Sequence, residues 1–271
     1  MEKKILLFLS LALLWSCNQS SSKSSSPDNP ETNTNSDVAD FVSLDQAYIP
    51  VLFFTSVENL KASRASYTEL RKEWASFKSV SPEIFKDPEW ENKQNEIDQH
   101  ITAAESSITA GKNLKEAHEE LEHVREILLE VRHRNNMDYF VDYLTAFHEP
   151  MEQIVLTAKE TLPDQWTAAT TAKIRSAIPE AETRWQATQK APFDPVKYGF
   201  NEPRYQKMKQ YIAAETRALE MLKNSLEKED PIPLLRKNAL GIKQNFAGLF
   251  KLFGNLQAFQ EAGTQKEQGT E

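Results

Sequence analysis

Cysteine is nearly missing from this sequence: Cys17 is the only one among 271 residues. No disulfide can form within the chain, and no second thiolate is available for a metal cluster or a nucleophile. The seven glycines are too few for a fold built on many tight hairpins. Glycine-rich phosphate loops, Gly-x-Ser-x-Gly elbows and His-Glu-x-x-His helices are all absent. Basic clusters are missing as well. The net charge is −8, which argues against nucleic acid as a partner, because such binding rests on Lys and Arg neutralising phosphates. With no catalytic constellation in sight, the chain is expected not to be an enzyme.

What is present begins at the N-terminus. Lys3 and Lys4 precede an apolar run from Ile5 to Trp15, which has signal-peptide length and falls short of the roughly 20 residues of a membrane span. The run ends in Leu14-Trp15-Ser16-Cys17. This resembles the bacterial lipoprotein box, with an aliphatic residue three before the cysteine and a small one just before it. The resemblance implies removal of residues 1–16, thioether lipidation of Cys17 and acylation, as by palmitate, of the new terminus. Two or three acyl chains would anchor the chain stably. Asn18 stands where an aspartate would signal inner-membrane retention in enterobacterial-type sorting, so the resemblance implies the outer membrane, facing the periplasm. Residues 17–41, rich in Ser, Asn, Thr and Pro, are read as a disordered tether. They bury too little to offset their ordering entropy. As a coil the tether would reach roughly 27 Å. The tail, 259–271, is expected to be frayed.

Between these ends, helical periodicity is the strong signal. Leu60, Tyr67, Leu70, Trp74 and Phe77 form one stripe. Leu114, Ala117, Leu121, Val124, Leu128 and Val131 form another, and Phe140, Leu144, Phe147, Met151, Ile154 and Ala158 a third. No segment alternates with period two over a useful length, so the class is all-α. Tyr67, Leu70 and Trp74 recur 111 residues later as Ile178, Ala181 and Trp185. Ala47, Tyr48 and Pro50 match Ala146, Phe147 and Pro150 at a shift near 100. The repeats predict two degenerate up-down four-helix units in tandem, 42–136 and 137–258. The alternative is one irregular bundle of seven or eight helices. In helix count and unit length the body is similar to cytochrome c′ and cytochrome b562 modules, a resemblance of architecture only. Covalent haem is excluded because no Cys-x-x-Cys-His exists.

Histidines supply the candidate chemistry. Glu120-x-x-His123 and Glu130-x-x-His133 have the spacing of di-iron carboxylate helices, but the stripe turns His123 and Glu130 toward solvent. His118, His148 and His100 instead sit at the edges of their apolar stripes. If their heights coincide, His118 and His148 could hold Zn, Cu or Fe with help from His100 or Glu152; the bland reading is that each is a boundary residue with one hydrogen bond. A second candidate ligand region runs through Asn135, Asp138, Tyr139, Asp142 and Tyr143, where polar and aromatic residues are densest. The expected function is a lipid-anchored, non-catalytic helical interaction or scaffold module, with membrane lipid and an envelope protein as partners. The alternative is a metal- or small-ligand-binding protein using the histidines of the first unit.

Overall fold

The computed structural model describes residues 31–80 and 88–259. Cys17, its leader and almost all of the tail lie outside the described residues. Among those described the chain is all-α: α1 (Glu31–Ser56), α2 (Leu60–Val80), α3 (Trp90–Ala110), α4 (Leu114–Arg134), α5 (Phe140–Glu160), α6 (Ala168–Lys190), α7 (Glu202–Glu227) and α8 (Ile232–Phe250). Short 3-10 turns follow α5 at Pro163–Gln165 and α8 at Lys251–Phe253. The expected stripes are the buried faces. Leu121, Val124, Leu128 and Val131 of α4 are buried, as are Leu144, Phe147, Met151 and Ile154 of α5.

Helices α1 to α4 pack each on the next, and α4 returns to α1; α5 to α8 close a second ring in the same way. Short connections make neighbours antiparallel. Those joining α3 to α4 and α5 to α6 carry cap devices. Gly111 after α3 takes a left-handed φ of 65°, Asn113 accepts from the Glu116 amide at the start of α4, and Thr167 and Thr170 form a capping box on α6. The rings share one continuous hydrophobic core, so two four-helix rings form a single body. They meet where α1 packs on the turn after α8 and α4 packs on α5.

One boundary needs correction. Helix α1 begins at Glu31, so residues 31–41 of the segment read as tether are helical. Polar composition masked the reason. Val38, Phe41 and Leu44 are spaced by threes, and Phe41 is fully buried against Phe77 and Tyr139. By length and composition Val38–Ser56 passes as a membrane-crossing helix, but 67% of it is buried within the fold. It serves as the core helix of the first ring.

Candidate functional site

The joint between the rings gathers most of the chemistry. Its first cluster is an ion-pair network below the chain crossing from α4 to α5. Arg132 is 1% exposed. Its Nε donates to both oxygens of Asp142, at 3.0 and 2.9 Å, and Nη2 donates to Oδ1 at 2.5 Å. The guanidinium lies against both the Phe41 and Tyr139 rings, 4.7 and 4.6 Å from their centroids. The Tyr139 hydroxyl donates to buried Asp45 at 2.6 Å. Burial pushes the Asp45 carboxyl up to about 6, against the pull of Arg132. Burial opposes the charge of Arg132 too, but Asp142 and Asp45 outweigh it and raise its pKa. The backbone N–H of Phe140 donates to the Tyr198 hydroxyl at 2.7 Å, which fixes the start of α5.

Above this network opens a cleft of about 370 Å³ whose lining includes Asp138, Tyr139, Asp142 and Tyr143. Four of the five residues expected in a ligand region therefore converge. Asn135 does not: its side chain donates to Val131 O and finishes α4. His133, Ala146 and Arg184 also line the cleft. Ala146 lies four residues before Pro150, which has no N–H to offer its carbonyl.

The second cluster is a small pocket where α1, α4, α5 and α8 meet. The structure brings His118 and His148 to this one pocket. His118 Nδ1 lies 3.1 Å from Leu52 O. A carbonyl can only accept, so Nδ1 carries the proton and Nε2, 3.5 Å from Glu122, keeps a lone pair. His148 Nδ1 lies 2.8 Å from Arg125 Nη2. A guanidinium can only donate, so His148 is neutral and protonated at Nε2. Burial lowers the pKa of both imidazoles, with Arg125 and Lys243 acting in the same direction; for His148 the drop is large, and His118 adds to it. Arg125 also pairs with Glu122.

This geometry departs from the expected metal set. His100 is elsewhere: its Nδ1 is 2.7 Å from Glu120, and its ring lies tilted against that of His123, 5.0 Å between centroids, on the outer α3–α4 face. Glu152 comes only within 3.9 Å of His148 Nδ1. Among the described residues no group of three or more His, Cys, Asp or Glu converges as a metal-binding set. Local charge also bears on this pair of histidines. Arg125 occupies the Nδ1 lone pair of His148, and a cation there would face Arg125 and Lys243 at close range.

Sequence reasoning missed the buried charges. Arg125 and Arg132 on α4, and Glu215 on α7, interrupt apolar stripes, which is the signal that marks them. Glu215 is fully buried. Burial pushes its carboxyl up to about 8, although Asn245 and the Phe246 backbone act against the rise, and neither oxygen holds a hydrogen bond of good geometry. Trp74 and Trp185 are core residues, as their stripes require. Their indoles donate to Asp98 at 2.7 Å and Thr216 at 2.9 Å. No family of known proteins matches the chain, and neither a curated protein nor a solved structure is similar to it at a meaningful level.

Proposed function

We propose that this chain is a bacterial lipoprotein whose helical body acts by binding, without catalysis, at the periplasmic face of the envelope. The observation that carries this reading is the apolar run closing on Leu14-Trp15-Ser16-Cys17, with the chain's lone cysteine at the cleavage point. A thiol in that position belongs to the anchor. The body supplies helical surface and an acidic balance, suited to a protein partner in the envelope. Metabolic labelling in a bacterial host with an alkynyl palmitate analogue tests the anchor. The native chain should take up label and partition with membranes, and Cys17→Ser should do neither. Equal labelling of both chains, or none of the native chain, would refute it.

A second reading, small-ligand binding, is favoured by the cleft at the ring joint. Asp138, Tyr139, Asp142 and Tyr143 reach it from one loop and the first turn of α5. The Tyr143 hydroxyl already donates to Asp138 at 3.0 Å, and Arg132 holds Asp142 from below. A rigid, preorganised polar floor of this kind favours a specific ligand over a flexible contact.

A further inference from the structure

The pocket shared by His118 and His148 has an electrostatic character that a metal does not explain. It encloses about 70 Å³, room for little more than two waters at roughly 30 Å³ each. Three cations from three elements line it: Arg125 of α4, Lys243 of α8 and Lys251 of the turn beyond. Glu122 is the one carboxylate in the lining, and it is already paired with Arg125. Glu126 and Glu152 stand outside it, Glu126 on His123 and Glu152 at the far reach of His148. Arg125 is 5% exposed, and its Nε is buried without a hydrogen-bond partner. Among the described residues Lys243 joins no ion pair, while Lys251 lies 4.6 Å over the Phe53 ring.

We propose that this pocket is a binding site for a small oxyanion, a carboxylate or phosphate group, held by Arg125 and Lys243 between the two helical rings. Arg125 Nη2 is committed to His148 and Glu122, so the oxyanion would draw a single charge-assisted bond from the guanidinium's unpartnered Nε, beside the ammonium of Lys243. His148, protonated at Nε2 because Arg125 occupies Nδ1, offers a further neutral donor. Phe53, Phe246 and Phe250 wall the inner side of the site, and a low-dielectric wall strengthens each charge-assisted bond made against it. Burial first, and the neighbouring cations second, hold the two imidazoles neutral, and the anion would offset the cations' share. Anion binding and uptake of a proton by His118 or His148 are therefore linked, and the site tightens as pH falls. The inference extends the ligand-binding reading to a second place and a stated chemistry, and it is independent of the lipid anchor.

The test uses the full chain, titrated with inorganic phosphate and separately with acetate, with chloride at equal ionic strength as control. Calorimetry reads the affinity, and the imidazole carbon-bound protons read the site. At least one oxyanion should bind one to one and move the His118 and His148 titrations to higher pH, leaving the signals of His100, His123 and His133 in place. Lys243 is exposed, so Lys243→Gln should keep the native melting transition while weakening the oxyanion about tenfold, the order of one charge-assisted bond. Lys243→Arg should retain binding. Preference for phosphate or for acetate identifies which ligand class carries the group. No response of His118 and His148 to either oxyanion overturns the proposal, as does unchanged affinity in Lys243→Gln. Neither result bears on the labelling of Cys17.

Discussion

At the residue scale, the informative positions are the charges that the fold removes from water. Arg132 and Asp142 are buried together, and the net worth of such a pair is small, because desolvation offsets attraction. Removing one partner is a different matter. Asp142→Ala leaves the guanidinium buried, with Asp45 the carboxylate that remains near it among the described residues. It is expected to destabilise the protein by about 3–5 kcal/mol in urea unfolding. Replacing both residues by apolar side chains of similar volume should restore much of that loss.

The neutral imidazoles make a pH prediction whose sign is fixed by their surroundings. His118 and His148 have lowered pKa values in the folded state, whereas in the unfolded chain they titrate near about 6.5. Below that pH the unfolded state binds protons first, so their contribution to stability falls on acidification. Asp45 and Glu215, raised to about 6 and about 8, act oppositely. Their contribution is full in acid and is lost as pH rises. Comparing chains that differ at one position separates the two. Between pH 7 and 5 the native protein should lose more unfolding free energy than His148→Gln does. Equal losses would remove His148 from the account.

At the scale of elements, the two rings solve the same problem with different residues. Arg64 of α2 donates to Ile108 O and Thr109 O at the end of α3, at 3.2 and 2.7 Å. Arg175 of α6, 111 residues later, donates to Leu226 O at the end of α7 at 3.0 Å. Each satisfies carbonyls that a helix end leaves bare. Arg236 of α8 does the same for Ala158 O near the end of α5, while His118 adds a tie from α4 to Leu52 O of α1, a carbonyl that Thr55 Oγ1 also reaches. His118 thus has a structural duty besides any ligand.

Proline has a comparable dual effect. Pro50 within α1 cannot donate to Gln46 O, and the amide of Asn255, beyond the second ring, fills that carbonyl at 3.0 Å. A missing donor in one ring thereby ties down the other. Pro50→Ala would return an intrahelical donor to Gln46 O. Hydrogen exchange at the Asn255 amide should then speed up several-fold while exchange in α2 and α3 stays the same. Unaltered protection at Asn255 would mean that the proline has no part in the tie.

At the scale of the whole molecule, the continuous core predicts one cooperative unfolding transition and not two. The tryptophans allow a direct check, because Trp74 and Trp90 lie in the first ring, and Trp166 and Trp185 lie with the second. With Trp15 replaced by Phe throughout, fluorescence of Trp166→Phe/Trp185→Phe reports the first ring, and Trp74→Phe/Trp90→Phe reports the second. Because each pair of substitutions itself costs stability, each variant's fluorescence should be set against its own circular dichroism. The two should coincide in both variants. A ring that melts ahead of the dichroism would show that the joint is too weak to couple them.

The helical class, the stripes and the residues of the Asp138–Tyr143 cleft were legible in the sequence because they depend on local spacing. A helix turns 100° per residue, so side chains three and four apart share a face whatever lies opposite. The meeting of His118 with His148 needed more, and so did the departure of His100. Axial height and ring-to-ring packing are set by contacts between residues far apart in the chain. Charge was the least legible. A sequence shows that Arg125 interrupts a stripe, but only the tertiary structure places it on His148 Nδ1, beside the two histidines expected to share a metal. The beginning of α1 was misread for a related reason: Phe41 is ordered by Phe77 and Tyr139, which approach it only in the fold. Periodicity therefore determined which faces are buried. Long-range packing decided which groups face one another, and the energy of each charge follows from its neighbours.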